Sequence, residues 1–313
     1  MSNLYILCDI GWTAGFNLCQ SKPNYSLMSA QFGTKMAQIT NIKGLIIDMD
    51  GVLWHGNDAV DGLIPFFATL RELAIPFILA TNNASLTQQQ YIDKLAVMGV
   101  EVAAKEILTS SMATATYLAE HLADDERRLF VIGEAGLREP LLEQGFILTD
   151  NCQFNPPNKA GMDNVDVVVS GLDRQLTWDK LATATLHLNA GAQFYATNSD
   201  TTLPTELGNV MGNGGVLAAL TAVTGVKPIS IGKPEPILYQ YALAILGCEA
   251  TNTITIGDRL DTDIFGAVNA GMRSILVLTG ISTLADIADV DYQPTWIMQD
   301  INDIARTLKE NMQ

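Results

Sequence analysis

Short apolar runs alternate with helix-length amphipathic segments along most of this chain, and that alternation restricts it to a parallel α/β design. "GLIIDMD", "LIPFFATLRELA", "PFILATNN", "LTQQQYIDKLAVMGV", "ILTSS" and "MATATYLAEHL" follow one another, the βαβ rhythm of a parallel sheet. It returns near the C-terminus in "PEPILYQYALAILG", "TITIGD", "DIFGAVNAGM" and "SILVLTG". Between the two lies another α/β run, "RLFVIGE" to "GNGGVLAALTAVTG", with "CQFNPPNKAGMDN" a loop by composition. The expected organisation is a second domain inserted into the first. No fixed-period repeat or low-complexity tract interrupts it.

The 313 residues are 48% hydrophobic, enough to bury one large core or two modest ones. With 34 acidic against 18 basic residues the formal charge is -16. That field repels nucleic acid and anionic membranes, so neither is expected as a partner, and an anionic ligand must be captured by local cations. Four cysteines without CxxC spacing and three scattered histidines argue against zinc and for reduced thiols in a cytoplasmic protein. No apolar run reaches the roughly 20 residues that span a bilayer. Residues 1–40 lack periodicity and read as an extension, with Met36 an alternative start.

Asp48-Met49-Asp50-Gly51 closes the first apolar run. Side chains alternate along a strand, so Asp48 and Asp50 should project on one side. Thr81-Asn82-Asn83, Gly232-Lys233-Pro234 and Gly257-Asp258, with Asp261 and Asp263 following, stand at other expected strand ends, where open parallel sheets bind ligands. Singly, each is an ordinary turn, cap or solvated loop. Together they pose a charge problem. Asp48, Asp50 and Asp258 gathered at one sheet edge repel one another unless a hard cation binds, and oxygen ligands suit Mg2+. Lys233 adds a second positive charge, while the Thr81 hydroxyl and nearby backbone N–H groups add neutral donors. The pattern predicts a phosphate cradle within an acidic protein.

In kind and order "DMDGVLWHG", "ATNNAS", "GLDRQLTWDKL", "ATNSD", "IGKPEP" and "IGDRLDTDIFGAVNAGM" resemble the motifs of haloacid-dehalogenase-type phosphatases. The details resemble the class IIA branch, which includes para-nitrophenyl phosphatase, phosphoglycolate phosphatase and NagD-like enzymes. The resemblance runs from about Ile42 to Thr279. This chain departs from it before the helix opening Gly212-Asn213-Gly214-Gly215, where the family usually has proline and glycine, and at Ser199, often a proline.

The resemblance implies a Rossmann-like core of five parallel strands over residues 41–122 and 228–313, with a C2-type α/β cap at roughly 123–227. It implies Mg2+-dependent hydrolysis of small phosphate monoesters: para-nitrophenyl phosphate, phosphoglycolate, sugar phosphates or nucleoside monophosphates. Asp48 would be the nucleophile forming an aspartyl-phosphate, and Asp50 the general acid and base. The Asp48 side chain, the Asp50 backbone carbonyl and Asp258 would hold the metal. Lys233, Thr81, Asn82 and Asn83 would bind phosphate, the two asparagines either lining the site or shaping its turn. Asp263 would orient Lys233 or a metal-bound water, unless it is an ordinary helix-start aspartate. From the cap, Arg174 would meet a second anionic group and Gln175 a hydroxyl or carbonyl, the alternative being a solvated turn. Trp54 and His55 fall in the family's mobile flap, where packing and solvation are the plainer readings. The cap could pair two copies into a homodimer.

Two rivals fit less well. A phospho-accepting receiver-type domain would use Asp48, Thr81 and Lys233 but has no need of Asp50 or of a long insertion. A nucleotide-binding module built on "GNVMGNGG" lacks the P-loop Lys-Ser/Thr. A phosphotransferase or mutase on the same scaffold is the nearest enzymatic alternative.

Overall fold

Gly44–Ile47 is buried at every residue because it has a parallel strand on each side. Gly44 to Ile47 face Thr253 to Ile256 in register, and Leu45 to Ile47 face Phe77 to Leu79. In this computed structural model, which describes residues 39–157, 161–205 and 207–312, the run is the third core strand from one edge. The full order is Ile107–Thr109, Phe77–Thr81, Gly44–Ile47, Thr253–Gly257, Arg273–Val277 and Trp296–Met298, all parallel. The sixth strand exceeds the five expected, since "TWIM" is too short to show a period of its own. The expected extension lies mostly outside the described residues. Its last two positions belong to the fold: Ile39 is buried in the core, and Arg273 Nη1 donates to the Thr40 carbonyl (2.8 Å).

Alternation along the first strand sends its side chains to two cores. Leu45 and Ile47 pack with Phe66, Phe67 and Leu70 of helix Leu63–Glu72 and with Ile304 and Leu308 of helix Ile301–Met312. Ile46 faces the other side, toward Leu118 of helix Ser110–His121 and Leu238 and Ala242 of helix Pro236–Leu246. Burial of each such side chain contributes about 1.5–3 kcal/mol, so both helical layers are strongly held.

The inserted run forms a second parallel sheet in the order Ile229–Ser230, Gln193–Ala196, Val167–Ser170, Arg128–Ile132 and Ile147–Thr149. Its edge strand, Ile229–Ser230, lies past residue 227, where the second part of the core was expected to resume. Leu129, Val131, Val167 and Tyr195 of this sheet share a hydrophobic cluster with Ile46, Ile78 and Leu108 of the core. No helix among the described residues is long and apolar enough to cross a membrane.

Candidate active site

Asp48 is the first residue past its strand, and its N–H still donates to the Ile256 carbonyl (2.8 Å), extending the ladder by one bond. The side chain is thereby fixed at the carboxyl edge of the sheet, 8% exposed. Lys233 reaches it from the loop before helix Pro236–Leu246. The Lys233 ammonium donates to Asp48 Oδ1 (2.5 Å), Asp263 Oδ1 (2.7 Å) and the Ala80 carbonyl (3.1 Å), which satisfies its three N–H groups. Burial works against charge on this lysine, yet Asp263 and Asp48 outweigh it and hold the ammonium well above its ordinary pKa. Asp263 sits in a π turn, Leu260–Ile264, rather than at a regular helix start, and its Oδ2 accepts the Arg259 N–H (3.1 Å). Such turns gather at functional sites. Asp263 thus touches Lys233 and the backbone of its own turn.

Three carboxylates, those of Asp48, Asp258 and Asp263, each bring an oxygen within 4.8 Å of the others. Asp258 Oδ2 accepts the Ile281 N–H (2.8 Å), whereas its Oδ1 is buried without a hydrogen-bond partner. The surrounding backbone is shaped to this group. A Cβ on Gly51, whose φ is +81°, would lie 2.5 Å from Asp258 Oδ2, and one on Gly280 would lie 1.8 Å from it. Burial pushes the Asp258 carboxyl up to about 7, with the Asp263 charge adding to the rise. Burial likewise pushes Asp48 well above the ordinary carboxylate range; Lys233 pulls back, and Asp263 and Asp258 raise it further. A crowded all-oxygen set with one orphaned carboxylate oxygen suits a hard divalent cation, whose charge would reverse these rises.

Asp50 stands apart from that cluster. Its Oδ1 accepts the Trp54 indole N–H (2.8 Å), and its side chain is not in the acid trio. Trp54 is fully buried, stacked with Tyr91 at 6.3 Å between ring centroids, and Lys94 Nζ lies 4.1 Å above the indole. Sequence left Trp54 undecided because an aromatic after a turn packs far more often than it donates. His55 is exposed.

The phosphate-loop expectations divide. Thr81 is buried, and its Oγ1 accepts the Asn83 N–H (3.0 Å). Asn83 Oδ1 accepts from the backbone N–H and the hydroxyl of Ser85, so its side chain shapes the turn. Asn82 is committed elsewhere. Its amide donates to the Lys233 carbonyl (2.8 Å) and to Asp200 Oδ1 (3.2 Å), while its Oδ1 accepts the Lys233 N–H (2.8 Å). The Asn82 side chain thus ties the lysine loop to the second sheet and is not free to take a phosphate oxygen. Asn198, missed in the sequence, returns the contact by donating to the Asn82 carbonyl (2.8 Å). A signal was present: Ala80-Thr81-Asn82 and Ala196-Thr197-Asn198 are the same tripeptide at the ends of two strands.

Asp48, Asp50, Thr81, Asn82, Asn83, Lys233, Asp258 and Asp263 all line one cleft of about 920 Å3, joined from the second sheet by Leu172, Asn198 and Asp200. Arg174 and Gln175 do not. They line a different cavity of about 600 Å3, where Arg174 makes a two-pronged ion pair with Glu134 (2.8 and 2.6 Å). Glu134, in the loop after the neighbouring strand Arg128–Ile132, offers a paired acceptor, and the Arg174 guanidinium turns to it.

A family model described as "Haloacid dehalogenase-like hydrolase" matches residues 45–147, and a second HAD-hydrolase-like model matches 230–304. The chain is similar to an acid sugar phosphatase of Staphylococcus saprophyticus, 36% identical over 270 residues that cover 86% of this chain and 99% of the relative. It is also similar to the solved structure of a thermostable NPPase from Geobacillus stearothermophilus, with TM-score 0.74, 38% identity, and 84% and 98% of the two chains covered. A third likeness is to a glycerol phosphate phosphatase from Mycobacterium tuberculosis solved with magnesium, with TM-score 0.75, 33% identity, and 84% and 76% covered. With the site and these likenesses in agreement, the chain belongs to the haloacid dehalogenase-like hydrolases, in their class IIA, NagD-like branch, and is an enzyme of the phosphoric monoester hydrolase type.

Proposed function

We propose that this enzyme hydrolyses small phosphate monoesters with Mg2+ as cofactor and Asp48 as the covalent nucleophile. The observation that carries the reading is the division of labour between two carboxylates: Asp48 contacts Lys233 within the acid cluster, while Asp50 is held outside it by Trp54. The Asp48 side chain, Asp258 and the Asp50 backbone carbonyl would hold Mg2+, which when bound supplies positive charge against the phosphoryl oxygens. Asp48 Oδ attacks phosphorus; the bond to the ester oxygen breaks and that oxygen takes a proton from Asp50. Asp50, now ionised, accepts a proton from water as the water oxygen attacks phosphorus and the Asp48–phosphorus bond breaks. Lys233, held by Asp263, balances charge at Asp48 throughout.

Monoesters with an uncharged leaving group fit the cleft best. Of its lining cations, Lys233 is occupied by two aspartates and Arg259 is paired with Asp261 (2.8 Å). Arg174, expected to meet a second anion, lies elsewhere. Sugar, polyol and aryl phosphates are therefore favoured over phosphoglycolate, in line with relatives named acid sugar phosphatase and NPPase.

The test is Asp48→Asn with para-nitrophenyl phosphate and Mg2+. Turnover should fall by several orders of magnitude, as for loss of a covalent nucleophile. Acid-quenched wild type should carry phosphate on Asp48, located by mass spectrometry of the borohydride-reduced peptide. Turnover above about 1% in the variant, or label on another residue, contradicts the mechanism.

A further inference from the structure

Asp50 has one carboxylate oxygen occupied and one available. Oδ1 takes the Trp54 indole N–H at 2.8 Å, and Oδ2 has no hydrogen-bond partner among the described residues while the side chain lines the cleft. A carboxylate on a short side chain turns readily about its terminal bond unless something holds it. Here the holding group is itself immobile. Trp54 has no exposed surface, its backbone carbonyl accepts the Gly51 N–H (2.8 Å), and its ring stacks on Tyr91. Tyr91 in turn donates its hydroxyl to the Asn83 carbonyl (3.0 Å), which ties the indole to the loop after Thr81. On the ring face, Lys94 Nζ stands 4.1 Å from the centroid and donates to the Gly56 carbonyl (2.8 Å), pinning the turn that carries Trp54. A cation over an indole withdraws electron density and strengthens the ring N–H as a donor.

We propose that Trp54 is the positioning residue for the acid–base carboxylate: its indole N–H clamps Asp50 Oδ1 so that Oδ2 points to the leaving-group oxygen, with Tyr91 and Lys94 bracing the clamp. The inference rests on the general acid and base role given to Asp50 above. It assigns no chemistry to Trp54, whose indole N–H is committed to Asp50 Oδ1. General-acid catalysis matters most where the leaving group is poor, and misplacing a catalytic group by about 1 Å can cost on the order of a hundredfold. Loss of the clamp should then appear as a dependence on the leaving group, which loss of packing alone would not produce.

The experiment uses the full chain with Mg2+ and compares kcat/KM for glycerol phosphate, a poor leaving group, with that for para-nitrophenyl phosphate, a good one. kcat/KM reports the steps through departure of the leaving group, where Asp50 acts as acid. Two variants are made: Trp54→Phe, and an isostere in which sulfur replaces the Trp54 indole N–H, so that shape and packing are kept if Trp54→Phe fails to fold. The expected result is a fall of at least about tenfold for glycerol phosphate, under about threefold for para-nitrophenyl phosphate, and an unchanged inhibition constant for inorganic phosphate. In an Asp50→Asn background the isostere should have no further effect, because the group it positions is gone. Equal losses on both substrates, no loss on either, or an isostere effect that persists in Asp50→Asn would overturn the proposal. Asp50→Asn alone separates this from failure of the underlying reading. If it lowers both substrates equally, the acid role of Asp50 itself is wrong, whatever Trp54 does.

Discussion

Gly280 shows how much of this site is decided one residue at a time. Its absent side chain leaves the space in which Asp258 stands: a Cβ there would lie 1.8 Å from Oδ2 and 2.4 Å from the Asp258 Cβ. Gly280→Ala must push Asp258 aside, because the conflict is with the root of that side chain as well as its tip. The expected outcome is a higher Mg2+ concentration for half-maximal activity and a fall of about a hundredfold in kcat/KM, measured with para-nitrophenyl phosphate across a Mg2+ titration. An unchanged Mg2+ dependence would remove Asp258 from the metal site. "DMDG" and "GDRLD" are legible as an acid cluster in the sequence, but a glycine in "LVLTG" gives no sign that it faces one of those acids.

At the scale of elements, the junction between the two sheets rests on a pair of identical Ala-Thr-Asn tripeptides. Asn82 follows the strand Phe77–Thr81, and its side-chain amide bonds both the backbone N–H and the carbonyl of Lys233; Asn198 follows the strand Gln193–Ala196 of the other sheet and bonds the Asn82 carbonyl. Asn82→Ala leaves a buried N–H and a buried carbonyl of Lys233 without their partners, at about 1–3 kcal/mol each. It should also free the loop that aims the lysine. We expect a lower urea midpoint together with a kcat loss larger than the change in KM; a purely structural role would lower the midpoint and leave kcat of the folded fraction intact. The repeated Ala-Thr-Asn tripeptide is visible in the sequence, but the meeting of its two copies is not, since strand periodicity says nothing about which loop ends face each other. The π turn at Leu260–Ile264 was hidden for a related reason. Helical periodicity over "DTDIFGAVNAGM" does not show that the regular helix is only Phe265–Asn269.

For the whole molecule, charge is the dominant fact, and its effect depends on pH and metal. The formal charge is -16, yet the cleft gathers buried acids that the fold can tolerate only while they are protonated or neutralised. Asp258, raised from 3.8 to about 7, binds its proton more tightly folded than unfolded. Its contribution to stability is therefore fully present below about pH 3.8 and lost as pH rises through about 7 when no cation is bound. Mg2+ competes with that proton, so the increase in Tm on adding Mg2+ should be larger at pH 8 than at pH 5, as read by thermal denaturation with and without EDTA. An equal or reversed increment would contradict a metal held by these carboxylates. The sequence by itself determined the parallel α/β class, the inserted run and the chemistry gathered at the strand ends, because period, composition and motif spacing are local properties of the chain. Only the tertiary structure decided the partners: Lys233 meets Asp48 across 185 positions of sequence, Asp50 is surrendered to Trp54, Asn82 to the junction, and Arg174 to Glu134. Those choices are made by competition among all donors and acceptors that packing brings within about 3 Å, and no local pattern records the competitors.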